Sequence, residues 1–469
     1  MSLSHLHSQA MRVLPIFEEM QRNGMPASRS KFEALSAYVD STTNRLQNQL
    51  NTLLGYRINV NSQPQVADEI ERRGVVARKR TKKGISVGKK SIEHARHTDA
   101  FVGLNFTIKE HLSIKSKYVK FILDLMEDEA ARREDAGEPE SDLFYIHGNI
   151  QPVTVVSRRL SIAKPPLLQM PTRSEIGKMV RACYVAPEGK LFASFDFSAQ
   201  ELCVAADFSE DEFLHEIFTT CRYCGERLPS VSKCKKSENA KHKSRDPHRE
   251  AAARNYGIRL EDVTDRERNP TKTATFGVLN GLAGLGLQDQ FFMNIPLNED
   301  GTHPWGNVED CEKLCNDIRD EIYPELGRAS RAVESFVRQT GFIRDYYGRG
   351  RQPGMIRYLP SIRSSRRGEA AEAARQAFNL VIQGTAQHMA QAAMAWLGPR
   401  VYTLQQRGRG IDWRLEVHDE YIFTCDEAQE TQDELSNLVL DGMINHSGVK
   451  LRVPISAEGH FAKTWGGLK

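Results

Sequence analysis

The sequence predicts a mixed α and β (α+β) protein of two or three subdomains, on three observations. Helical periodicity runs through most of the chain. Apolar segments at 191–197 and 413–424 read as strands, and each carries an acidic residue at its end. The length, 469 residues, exceeds what one compact core accommodates.

Taken in order, residues 11–54 read as helix, with Leu14, Phe17 and Met20 and later Leu46, Leu50 and Leu53 spaced for one face. The stretch from Arg72 to Arg96 is basic (Lys79, Arg80, Lys82 and Lys83 at its centre). With Gly74, Gly84 and Gly88 it reads as loop with short helices. A charge run of this kind is usually a solvated face. Residues 101–126 regain helical periodicity, and EDEAARREDAGEPESD after them is predicted to be an exposed connector. From Leu143 to Val156 the β-branched and aromatic content rises, which predicts strands. LFASFDF (191–197) reads as a strand leading into a helix on SAQELCVAADF, and 221–247 is a Cys-, Lys- and Ser-rich insertion. Helical patterns return from Val263 to Arg338, broken by a Gly- and Pro-containing loop near 294–306. WRLEVHDEYIFT (413–424) reads as two short strands meeting at a tight turn on HDE. There are no internal repeats.

Composition narrows the class. A formal charge of +3 means that contact with nucleic acid would come from local patches. The N-terminus has no apolar run behind a basic one, and no stretch of about 18 apolar residues occurs, so neither a signal peptide nor a membrane span is expected. Eight cysteines without a regular framework suit a reducing compartment. The expectation is a soluble, cytoplasmic monomer.

Three pieces carry chemistry. Asp196 ends an apolar strand in FDFSAQEL. Lys272, Phe276 and Asn280 recur every fourth residue in RNPTKTATFGVLNG, which places them on one slowly drifting helical face. Asp419 and Glu420 sit at a hairpin tip in VHDE. A lone strand-end carboxylate is usually structural, and an acidic pair in a turn is usually solvated. Carboxylates capping two distant strands, beside a helix presenting Arg268 and Lys272, are what phosphoryl transfer needs. Two such carboxylates can hold two Mg²⁺ roughly 3.5–4 Å apart, while cations and a helix N-terminus cradle a triphosphate.

These segments resemble the A-family DNA polymerases, the bacterial DNA polymerase I-like group. The motif DYSxxELR is matched by Asp196-Phe197-Ser198-Ala199-Gln200-Glu201-Leu202, and RxxxKxxxFGxxYG by Arg268, Lys272, Phe276, Gly277, Asn280 and Gly281. VHDE stands intact at Val417–Glu420. SRRLSIAKPPLLQMP, DPHREAA, RQAFNLVIQGTA, YPEL (323–326) and GRGRQPGMIRYLP (348–360) are similar to further family segments, so the resemblance runs from about residue 11 to 469.

What the resemblance implies is a right-hand fold with an antiparallel palm and helical fingers and thumb. Residues 1–125 would form the N-terminal helix and thumb, 126–207 and 370–469 the palm, and 208–369 the fingers. It implies a DNA-directed DNA polymerase that extends a primer with deoxynucleotides by two-metal-ion catalysis. Asp196 and Asp419 would be catalytic with Glu420 assisting, and Asp196, Phe197 and Asp419 would hold two Mg²⁺ (or Mn²⁺). Glu201 would be the gate against a ribose 2′-hydroxyl. Lys272 and Arg268 would bind the triphosphate, His248 a phosphate, and Phe276 and Asn280 would face the incoming nucleotide. Arg159, Gln169, Arg375, Asn379, Gln383 and His418 would contact primer–template DNA, as would Lys79, Arg80, Lys82 and Lys83, which fall where the family's thumb grips duplex.

The sequence departs from the family pattern at Asn280, where Tyr is expected, and at Arg158, where Gly is expected. Pro270 suggests a helix capped by Asn269, with Arg268 preceding it. So little chain precedes the resemblance that no proofreading or 5′-nuclease domain is expected here. A separate exonuclease, helicase or processivity factor would then be a partner. A phage- or plasmid-type enzyme acting in a bacterial cytoplasm is the expected setting.

Two alternatives stand beside this. A single-subunit RNA polymerase shares the architecture, but Glu201 and Phe276 argue against it. An inert DNA-binding replisome subunit would have lost carboxylates that are all present. Finally, Cys221-x2-Cys224, Cys234 and His242 offer three thiolates and an imidazole within the insertion. The CxxC is the usual zinc half-site, whereas the spacing from Cys234 to His242 is irregular, so a structural Zn²⁺ and a basic loop with free thiols are both open.

Overall fold

The computed structural model describes residues 3–78, 80–81, 84–151, 159–171, 174–229, 233–237, 242–282, 284–295, 304–346 and 356–468. Lys79, Lys82, Lys83 and Arg158 lie outside them, as do residues 348–355 of the GRGRQPGMIRYLP segment. Arg80 falls in a short strand, Arg80–Thr81, paired with Gly84–Ile85. Among the described residues no helix is long and apolar enough to cross a membrane.

At the centre is a four-stranded sheet in the order Asp412–Val417, Glu420–Asp426, Lys190–Phe197, Ala457–Ala462, every neighbour antiparallel. The two-residue strand period divides it. Ala193, Phe195, Phe197, Tyr421, Phe423 and Cys425 point to one face and are buried against Val13, Ile16 and Met20 of the helix Leu3–Asn23, Met394 and Leu397 of Arg367–Gln406, and Leu435 and Val439 of Gln429–Asn445. Ser194 and Asp196 alternate with them and so face the other way, as does Glu420, the register partner of Asp196.

On the N-terminal side, the helix Arg29–Leu54 feeds two cores. Phe32, Leu35 and Val39 join Tyr118, Phe144, Tyr184 and Trp465 near the sheet. Leu46 and Leu50 join Val66, Ile70, Phe101 and Ile108 in a separate cluster. The continuous helix expected over 11–54 is interrupted. Gly24 adopts φ 59, where a Cβ would meet the His147 ring at 2.8 Å. Met25–Ser28 then pairs with Leu143–Ile146, and Ser28 caps the second helix by accepting from Lys31 N–H at 3.3 Å. The expected connector after 126 is also corrected. The helix Lys120–Asp135 runs nine residues into it, because AARRED is a good helix former and Arg133 lies over the Phe144 ring at 4.7 Å.

A second lobe is helical. Gln200–Ser209, Glu212–Thr219, Pro247–Tyr256, Asp265–Leu279, Gly284–Asn294, Val308–Asn316 and Pro324–Thr340 enclose Leu202, Leu214, Ala274, Phe291, Leu314 and Tyr323. The 40-residue helix Arg367–Gln406 borders this lobe with Phe378 and Ile382 and the sheet with Ala390, Met394 and Leu397. The start predicted at Pro270 is wrong. The helix begins at Asp265, capped by Thr264 in a reciprocal box with Glu267, and Pro270 sits inside it. The box satisfies N–H groups that a start at Pro270 would leave without these partners, which outweighs the one backbone bond proline removes. Arg268 is therefore a helical residue, one turn before Lys272.

Candidate active site

Asp196 is the penultimate residue of Lys190–Phe197, and Asp419 is the second residue of the two-residue turn joining Asp412–Val417 to Glu420–Asp426. The turn closes with His418 at φ 65. Glu420 is the register partner of Asp196, and Phe197 N–H donates to the Asp419 carbonyl at 3.3 Å, so the two aspartates are brought to one edge of the sheet. Burial pushes the Asp419 carboxyl up to about 7, and the neighbouring charges of Asp196 and Glu201 push the same way, with Arg159 opposing. Two carboxylates that resist joint ionisation form a hard-oxygen donor set whose repulsion a divalent cation relieves, so the residues present fit Mg²⁺. Glu420 is 3% exposed and accepts from Ser194 Oγ, which turns it along the sheet.

Glu201 opens the helix Gln200–Ser209 directly after the Asp196 strand. Its carboxylate forms an ion pair with Arg159, and burial holds its pKa above the usual carboxylate range. The helix Asp265–Leu279 belongs to the helical lobe. Lys272 is exposed on it, Arg268 Nε donates to Asp246 Oδ2 at 2.8 Å, and the Phe276 ring lies 5.4 Å from that of His248. His248 is 5% exposed, and burial, reinforced by Lys272 and Arg268 against Asp246, pulls its pKa down to about 3. Burial thus favours the neutral imidazole, whose ring N–H can still donate to a phosphate. Asn280 is not a helix-interior residue. The helix ends at Leu279 and Asn280 caps it, its N–H donating to Phe276 O at 2.9 Å while its Oδ1 accepts from Gln383 Nε2 at 3.3 Å. Gly281 follows at φ 67.

The residues expected to touch DNA are distributed around this centre. Gln169 and Arg375 are exposed, and the Gln169 carbonyl accepts from Tyr118 OH at 2.7 Å. His418 is exposed at the turn near Arg159. Asn379 Oδ1 is buried without a hydrogen-bond partner among the described residues, and Gln383 is engaged by Asn280. From the basic stretch, Arg78 reaches the helical lobe, where it pairs with Asp289 and Gln288.

Cys221, Cys224, Cys234 and His242 do come together, their ligand atoms all within 4.8 Å of one another. Three residues that sequence reasoning passed over belong to the neighbourhood. Asp246 caps the helix Pro247–Tyr256, accepting from His248 and Arg249 N–H at 3.0 and 3.3 Å. An Asp followed by Pro is itself an N-cap signal that could have marked it. Glu458 is the register partner of Asp196 on the sheet's outer strand. Glu416 lies fully buried beside the VHDE turn, with Oε1 accepting from Gln387 Nε2 at 2.7 Å.

Comparison with known proteins identifies the family and the fold. The family model described as DNA polymerase family A matches residues 29–467. A thermostable DNA polymerase I of Thermus aquaticus is 26% identical over 463 residues, covering 96% of this chain and 47% of that protein. The DNA polymerase I of Deinococcus radiodurans is 24% identical over 458 residues, covering 96% and 41%. The chain thus spans under half the length of these curated relatives. Among solved structures, the POL domain of Pol1 from M. smegmatis, in complex with DNA primer-template and dNTP, superposes with a TM-score of 0.76 at 22% identity. It covers 98% of this chain and 70% of that one, and it shares the fold.

Proposed function

The chain belongs to DNA polymerase family A, and from that premise we propose that it is a DNA-directed DNA polymerase that extends a primer 3′ end with deoxynucleotides on a DNA template. The observation that carries this is the convergence of Asp196 and Asp419 on one sheet edge, in a chain whose helical lobe presents Lys272 and Arg268 on the helix Asp265–Leu279. In this reading residues 1–125 are N-terminal helix and thumb, 126–207 and 370–469 palm, and 208–369 fingers.

Asp196 and Asp419, with Phe197 between strand and turn, would hold two Mg²⁺, which supply activation of the primer hydroxyl and neutralisation of the leaving pyrophosphate. Lys272, exposed on the fingers helix, meets the triphosphate, and Arg268 lies one turn behind it. Phe276, backed by the neutral His248 ring, offers an apolar surface to the nucleotide. Glu201, pinned by Arg159, stands as a fixed wall where a ribose 2′-hydroxyl would enter, and this favours a DNA over an RNA polymerase. Arg159, Gln169, His418 and Arg375 would meet the primer–template. The set Cys221, Cys224, Cys234 and His242 fits a closed structural Zn²⁺ site without an open coordination position.

Primer extension tests the reading. Asp196→Ala and Asp419→Ala should each reduce extension by at least ~10³-fold while leaving duplex affinity within about threefold, because binding rests on phosphate contacts elsewhere. Robust extension by either variant would remove the two-metal assignment.

A further inference from the structure

We propose that the cysteine–histidine cluster positions the nucleotide-binding face of the fingers. Bound Zn²⁺ would fix residues 242–246, so that Asp246 holds Arg268 and the helix of His248 in place. The inference rests on the polymerase reading for its consequence, but not for the metal site.

Two of the spacings between its ligand atoms are close to tetrahedral dimensions. A Zn²⁺ with sulfur at about 2.3 Å and nitrogen at about 2.0–2.1 Å requires S···S near ~3.8 Å and S···N near ~3.5 Å. Cys221 Sγ lies 4.0 Å from Cys234 Sγ, and Cys224 Sγ lies 3.5 Å from His242 Nδ1. His242 Nε2 is 3.5 Å from Glu226 Oε2, so a carboxylate orients the imidazole with Nδ1 towards the sulfurs. Backbone N–H groups of Tyr223, Cys224 and Lys243 are directed at Cys221 Sγ. Among the described residues of 221–245, only Cys221 and Cys234 are buried. Such a segment has no apolar core to hold it, and a metal would supply what the core does not.

Every residue after His242 is then tied to something else. Arg222 N–H donates to Lys243 O at 2.9 Å, Ser244 bridges Cys221, and Arg245 N–H donates to Ile217 O at 3.2 Å. The Arg245 guanidinium spans Glu216 at 3.0 Å and Glu250 at 2.6 Å. Asp246, four residues from the ligand His242, caps the His248 helix and accepts from Arg268 at 2.8 Å. On the opposite side Lys243 pairs with Glu458, the strand partner of Asp196. The module is thus a strut between the sheet bearing Asp196 and the helix bearing Arg268, and its rigidity is set at the metal.

The test measures zinc content, hydrogen exchange and dNTP kinetics of the whole chain, before and after chelation and with Mg²⁺ restored. We expect one zinc per chain. Removing it should speed exchange in 243–256 and 265–272. It should raise the dNTP KM roughly tenfold, the scale of one displaced charge-assisted hydrogen bond, with kcat within about threefold and recovery on adding Zn²⁺. Asp246→Asn should keep the zinc and raise KM similarly, and stripping zinc from that variant should add little further, since both changes act through one contact. Less than about half an equivalent of zinc, in wild type and Cys224→Ser alike and unrestored by supplementation, would overturn the site. Zinc that binds stoichiometrically but leaves exchange and KM unmoved on removal would overturn the positioning role, as would effects of chelation and Asp246→Asn that multiply. If the zinc-loaded chain extends no primer, the polymerase reading fails separately, and the exchange data still decide the coupling.

Discussion

Glu416 lies three residues before Asp419, wholly enclosed, with Gln387 as its hydrogen-bond donor and Oε2 without a partner among the described residues. Burial pushes its carboxyl up to about 8, Asp419 adds to this and Gln387 opposes it. Because the folded pKa is the higher one, the stability it contributes is complete below the unfolded value near ~4.3. That stability is lost as pH rises towards the folded value, since only the unfolded chain ionises in between. Glu416→Gln removes the titration while keeping the acceptor for Gln387. Its melting temperature should exceed that of the wild type by a margin that widens by several degrees from pH 5 to pH 8. A margin that does not change with pH would show that Glu416 ionises normally. Nothing in the sequence distinguished this glutamate from a solvated strand residue, because only the pairing of the strand with its neighbours and the long helix shows it enclosed. Asn280 is the opposite case: its position was legible but its partner was not. Asn280 caps the helix through its backbone N–H, and its side chain, which accepts from Gln383, leaves more room than the ring expected in this family. Asn280→Tyr should therefore lower misinsertion, by roughly 5- to 150-fold on the scale of pocket-shape selectivity. Equal fidelity in an active variant would show that the Asn280–Gln383 contact already supplies the check.

At the level of elements, the helix Asp265–Leu279 and the long helix Arg367–Gln406 meet at Gly281. Its φ is 67, and a Cβ there would lie 2.6 Å from the Arg375 carbonyl oxygen. Both constraints demand glycine: L side chains disfavour the left-handed region, and a backbone carbonyl cannot give way as a flexible side chain can. Gly281→Ala should cost about 1–3 kcal/mol, felt as faster hydrogen exchange over 276–282 and weaker dNTP binding rather than as global unfolding. Exchange matching the wild type would place the two helices further apart than described. The helix leading to this point shows which local signals dominate. A capping box at Thr264 and Glu267 set its start, and Pro270, the strongest breaker in the segment, was tolerated within it. Proline read alone therefore misplaced Arg268, although the four-residue spacing of Lys272 and Phe276 was sound.

For the whole molecule, a charge of +3 spread over 469 residues means that, under the proposed function, affinity for DNA would come from local cationic side chains rather than net attraction. Affinity for primer–template duplex should fall steeply with salt, with a log–log slope of about −3 to −6 for four to six phosphate contacts, and be nearly independent of sequence. A flat salt dependence would contradict a cleft gripping the backbone. The sequence by itself determined the α+β class, the apolar strands that carry Asp196 and lead to Asp419, the helix of Lys272 and Phe276 and the candidate members of the Cys–His cluster. Each of these is written in local periodicity or in contiguous motifs, which act over a few residues. Only the tertiary structure decided that Asp196 lies opposite Glu420, that Arg159 engages Glu201, that His248 is buried against Phe276, and that Asp246 joins the cysteine cluster to Arg268. These depend on strand register and on contacts between segments far apart in the chain, and they follow from burial of the whole core, which no local pattern encodes.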